Sequence, residues 1–153
     1  ENSYKLFKHI QNDIPELKFY MGTPAYSNAK LNFNDESVID LGGLPREKVL
    51  YHLSTSFCLF GINFTYPETF GCIFKEANLV GTPVLTTSIG ATKEILTPEQ
   101  VVTPIPYSSD LKGEQEFIKR FKSWYYDDKR PIIQIENKFK KEKIIEQWIK
   151  LLK

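Results

Sequence analysis

The sequence predicts an α/β fold, a parallel sheet covered on both sides by helices. Short apolar runs of strand length alternate with stretches carrying apolar residues at helical spacing. The connections between them are short, as strand-helix-strand units require. One run, FCLFGI at 57–62, is apolar throughout, the pattern of a strand buried on both faces. With 153 residues, 41% hydrophobic and 14% aromatic, the chain has material for one core and one domain.

Each element has its own signal. Leu6, Phe7 and Ile10 give a helix over 3–13, and Pro15 with LKFYMG gives a turn and a strand ending at Gly22. Residues 23–36 are polar and assign to neither class. VIDLGG is a short strand closing on Gly42 and Gly43, and Pro45 opens a helix with Val49, Leu50 and Leu53 inward. After the 57–62 strand comes a loop. A helix over 70–80 follows, with Thr69 as its N-cap and Ile73, Ala77 and Val80 on the inward face, stopped by Gly81-Thr82-Pro83. A strand at 83–87, a helix near 92–96 and a brief strand at VVT come next. Two helices finish the chain, one with Phe117, Phe121 and Trp124 inward, the other opened by Pro131 with Ile145, Trp148, Ile149 and Leu152 as its apolar face. Asp127 and Asp128 read as a helix end and turn, and His9 and His52 as structural or solvent residues.

The net charge of +1 provides no basic field for nucleic acid. The basic cluster KFKKEK reads as the solvated side of an amphipathic helix. No apolar run approaches the roughly 20 residues of a membrane span, and no signal peptide is visible, so we expect no transmembrane segment and a cytoplasmic location. Cys58 and Cys72 lack metal-ligand spacing and are expected to be buried and unlinked. The chain opens at Glu1 inside a helical pattern, so we expect a fragment of something longer.

The stretch YPETFGCIFKEANLVGTPVL carries the chemistry. Glu68 precedes the expected helix and Glu76 lies within it, on the order of 10 Å apart at about 1.5 Å rise per residue. Between them the helix start offers backbone N–H donors and a positive dipole end, which suit a diphosphate, and Gly71 leaves the backbone open to a ligand. A carboxylate on either side accepts hydrogen bonds from vicinal hydroxyls. Together these describe a nucleotide sugar, against the plainer alternative of a surface helix with two glutamates. In a parallel sheet, ligands bind beyond the carboxyl ends of the strands, which groups Gly22, Gly42, Gly43, the 63–69 loop and 88–90 on one rim.

The order VIDLGGLPREKVLYHLSTSFCLFGINFTYPETFGCIFKEANLVGTPVLTTSIGATKEIL resembles the nucleotide-sugar-binding half of family 4 retaining glycosyltransferases of GT-B fold ("glycosyl transferases group 1"). The likeness rests on Pro45 after the glycine turn, Glu68 with Thr69, Phe70 and Gly71, Glu76-Ala77, and Gly81-Thr82-Pro83-Val84, within 38–96. Gly90 and Glu94 also match, though Glu94 is equally ordinary for a first helical turn. The resemblance implies a Rossmann-like doubly wound sheet in which Glu68, the catalytic candidate, contacts donor-sugar hydroxyls. Thr69, Phe70 and Gly71 would border sugar and diphosphate, Glu76 would hold the ribose, and Gly42 and Gly43 would meet the base. It implies a nucleotide-sugar donor, no cofactor and no metal, and transfer with retention using no enzyme nucleophile.

Two departures follow. The family's first strand, central in its sheet, precedes a loop that supplies an Arg and a Lys to the diphosphate, and nothing before residue 17 can be that strand. The N-terminal acceptor domain is also missing, so the acceptor, whether glycan, lipid or protein, is not indicated. Without that Arg and Lys the chain forgoes charge-assisted bonds of roughly 1.5–3 kcal/mol each, so binding should be weak and the fragment inactive alone. The alternatives are a catalytically inactive nucleotide-sugar-binding or interaction module, and another GT-B enzyme such as a nucleotide-sugar epimerase or a phosphorylase.

Overall fold

The computed structural model describes residues 2–23, 34–61, 69–102, 112–133 and 141–152. In chain order the elements are α1 (Asn2–Gln11), β1 (Phe19–Thr23), β2 (Val38–Gly43), α2 (Arg46–Thr55), β3 (Leu59–Gly61), α3 (Cys72–Leu79), β4 (Val84–Thr87) and α4 (Thr92–Ile95). A single 3-10 turn (Pro98–Gln100), β5 (Val101–Val102), α5 (Lys112–Tyr126) and α6 (Lys141–Leu151) complete them. All strand pairs are parallel, as the strand-helix alternation predicts.

The strands form two sheets, β1-β2 and β3-β4-β5. In the second, side chains alternate between two cores. Phe60, Leu85 and Val102 join Leu6, Ile10, Phe117, Phe121 and Trp124 beneath α1 and α5. Leu59, Val84 and Val101 join Leu53, Phe74, Ala77 and Ile95 beneath α2, α3 and α4. Helices therefore cover both faces. β4 is buried at all four positions because it lies between β3 and β5, whereas β3, at the edge, is only half-buried.

β1 and β3 do not pair with each other. Side chains connect the sheets instead. On one face Phe19 of β1 meets Phe60 edge-on with ring centroids 6.2 Å apart, and Phe7 of α1 stacks on Phe19 at 4.9 Å. Tyr20, the next residue of β1, lies 6.0 Å from the His52 ring of α2. Among the described residues these ring contacts and the polar links between α1 and the turn before β2 connect the two sheets.

Lower down, Asp35 ties α1 to the turn before β2. It accepts hydrogen bonds from the Ser37 hydroxyl (2.5 Å) and from Tyr4 (3.0 Å), and pairs with Lys8 at 2.9 Å. The Ser37 hydroxyl, followed by Lys8 and the Ser37 amide, holds its carboxyl well below the usual range. α5 ends where expected, with Asp128 at φ +53 and the Lys129 amide returning to the Ser123 carbonyl.

Three expectations change here. Pro131 does not open the last helix, since 131–133 is non-helical and α6 begins at Lys141. Among the described residues the α6 apolar stripe joins no core: Ile145, Ile149 and Leu152 are exposed and Trp148 is 60% exposed. Cys72 is exposed rather than buried, because it opens α3 on the side away from the sheet. Both cysteines are free, and burial pushes the half-buried Cys58 thiol up to about 12. Among the described residues, no helix is long and apolar enough to cross a membrane.

Candidate functional site

The candidate site starts where β2 ends. Gly42 has φ +61, which side-chain-bearing residues seldom adopt, and its N–H donates to Asp40 Oδ1 at 2.9 Å, an Asx-type turn. A Cβ there would meet nothing within 4 Å, so the space above this turn is open. Gly43, the last residue of β2, is exposed. Pro45 follows as the N-cap of α2 and contributes no side-chain cap, although its carbonyl accepts from Lys48 and Val49.

The α3 start departs from expectation. Thr69 and Phe70 are exposed and precede the helix, and the N-cap is Gly71 at φ +66, ψ +55. Thr69 is therefore not the cap. A threonine hydroxyl caps from extended backbone just before the first turn, and here a left-handed glycine makes that turn. The Gly71 carbonyl accepts from Phe74 (2.9 Å) and Lys75 (3.3 Å), while no acceptor meets the Cys72 and Ile73 amides among the described residues. The later start also rotates the inward face. Phe74 and Ala77 are buried, Val80 packs beside them, and Ile73 is 37% exposed, not inward.

Glu76 lies one turn into α3 with its side chain 23% exposed. Its Oε1 accepts a hydrogen bond from Arg46 Nε at 2.8 Å. Arg46 is the first residue of α2 and is 69% exposed. This ion pair brings together the helix that follows the glycine turn and the helix that carries Glu76. The sequence reading overlooked Arg46. Its signal was a cation at the positive end of a helix, where the dipole disfavours it and a partner elsewhere is needed.

Of the other expected residues, Glu68 lies outside the described residues. Gly90, at φ +72, and Ser88 follow β4, and the Ser88 N–H donates to the Val102 carbonyl at 2.9 Å. Among the described residues no cluster of three His, Cys, Asp or Glu side chains is disposed to hold a metal. A shallow groove along α5, lined by Ile118, Lys122 and Tyr126 among others, shares no residue with the candidate site.

Below the site, Thr82 Oγ1 donates to the Leu53 carbonyl at 2.6 Å, fastening the end of α2 to the turn after α3. Gln100 is fully buried and fixes the far end of α3. Its Oε1 accepts from the Val84 amide (2.7 Å) and from Asn78 Nδ2 (2.8 Å). The carboxylate of Glu76 therefore sits on a helix whose C-terminal end is anchored twice. No protein-family model and no curated protein matches this chain.

Proposed function

We propose that this chain is the donor-binding domain of a retaining glycosyltransferase that moves a sugar from a nucleotide-sugar to an acceptor. Its fold is then the Rossmann-like, doubly wound C-terminal half of a GT-B enzyme without that half's first strand. The observation that carries the reading is the Arg46–Glu76 contact at 2.8 Å. Through it an ionisable acceptor for hydroxyl groups, the glycine turn at Gly42 and the α3 start, which has no side-chain cap at Gly71, are linked. The division of the described strands into β1-β2 and β3-β4-β5 supports the missing-strand reading.

In this reading the ribose hydroxyls donate to Glu76, and the base lies over Gly42 and Gly43. The diphosphate lies at the α3 start, where Cys72 and Ile73 offer N–H groups and the helix dipole favours negative charge. That field offsets charge growing on the leaving diphosphate as the glycosidic bond breaks. Glu68, next to Thr69 and Phe70, orients the sugar. In this reading the enzyme acts in the cytoplasm, and an acceptor-binding domain and cations for the diphosphate complete its site.

The test is an NMR-detected titration with a panel of nucleoside diphosphate sugars. At least one should bind, weakly. Glu76→Gln should weaken it by about 1.5–3 kcal/mol, the worth of hydrogen bonds to a charged acceptor, with the fold unchanged. Failure of the whole panel to bind, or unaltered affinity in the Gln variant, would overturn the reading.

A further inference from the structure

Arg46 has no reason to be where it is on the strength of its own helix. It occupies the first position of α2, against the positive dipole end. Three and four residues on stand Val49 and Leu50, which offer it no charge. Its partner is Glu76, thirty residues away in sequence. A pair this exposed contributes only about 0–1 kcal/mol to folding, so stability does not explain it.

The geometry of the contact is informative. Only Nε donates, and only to Oε1. One arginine N–H thus restrains the position of Oε1 while Oε2 and the remaining lone pair of Oε1 stay available as acceptors. A free glutamate has three side-chain torsions to order before it can receive two hydroxyls, and that ordering costs affinity. A glutamate already held by a guanidinium has less to order.

We propose that Arg46 is a positioning residue, which holds the Glu76 carboxylate so that its free oxygen faces the ribose diol and the site thereby distinguishes ribonucleotides from 2′-deoxyribonucleotides. This rests on the donor-binding reading. Arg46 acts through Glu76, and the pair, not the glutamate alone, sets sugar discrimination.

The experiment titrates the wild-type chain, Arg46→Gln, Arg46→Lys and Glu76→Gln with the adenosine, guanosine, uridine and cytidine diphosphates and their 2′-deoxy counterparts, by NMR. For whichever base binds, the wild type should prefer the ribonucleotide by about tenfold, one hydroxyl bond's worth. Glu76→Gln should abolish that preference. Arg46→Gln should cut it to about threefold or less with melting temperature unchanged, and Arg46→Lys, which lacks the planar donor, should restore it only in part. If the wild type binds no nucleotide, the donor-binding reading fails and this inference with it. If Glu76→Gln loses the preference while Arg46→Gln keeps it in full, the donor-binding reading survives and the positioning role is wrong.

Discussion

Gln100→Leu should destabilise the domain strongly for a single near-isosteric change. Gln100 is 0% exposed, and its side chain is the acceptor for the Val84 amide at 2.7 Å. Val84 is itself fully buried, so that amide has no water to turn to. An orphaned buried donor costs about 1–3 kcal/mol. Asn78 loses bonds at 2.8 and 3.3 Å, but it is half-buried and Nδ2 keeps its bond to the Thr82 carbonyl at 3.1 Å. Its share is therefore smaller, about 0.5–1.5 kcal/mol. The sum is roughly 2–4 kcal/mol, and at about 2–4 °C per kcal/mol for a domain of this size it lowers the melting temperature by about 5–15 °C. Thermal unfolding by far-UV circular dichroism reads the shift directly. A Leu variant melting within about 2 °C of the wild type would refute the claim that this amide depends on Gln100.

Gly71→Ala should cost about 1–2 kcal/mol in urea unfolding even without ligand, because φ +66 penalises any Cβ, and an unchanged midpoint would contradict that geometry. Asp35 has a folded pKa below its unfolded value, so the stability it adds is complete above about pH 4 and is lost as pH falls further; Asp35→Asn should flatten the acid side of the stability profile, and an unaltered acid limb would count against the Ser37–Lys8 cluster. Cys72 should react with a thiol reagent in the native state and Cys58 only on unfolding, which peptide mass mapping resolves; equal native rates would contradict the high Cys58 pKa.

Much of the architecture was legible because it is local. VIDLGG maps onto β2 as read, and Phe117, Phe121 and Trp124 are the buried face of α5. What was not legible depends on distant partners or on single backbone torsions. No sequence pattern distinguishes a threonine cap at Thr69 from a left-handed start at Gly71, nor Ile73 outward from Phe74 inward. The α6 stripe has helical periodicity, but periodicity does not state whether a surface awaits it. Arg46 reaches Glu76 only because the strand-to-helix turns bring two helix starts together, a long-range outcome that local reading cannot reach. Among the described residues β1 and β3 do not pair, and the bridge of Phe19 and Phe60 between their sheets depends on distant partners that local patterns do not reveal.

We propose that a nucleotide sugar occupies the ground between the β2 glycine turn and the α3 start. Residue-resolved NMR during titration with the best-binding nucleotide sugar tests it most directly. The largest amide shifts should fall at Gly42, Gly43, Arg46, Cys72, Ile73 and Glu76, with the α5 groove around Ile118 and Tyr126 unmoved. Shifts confined to α5, or to the exposed α6 stripe, would contradict it.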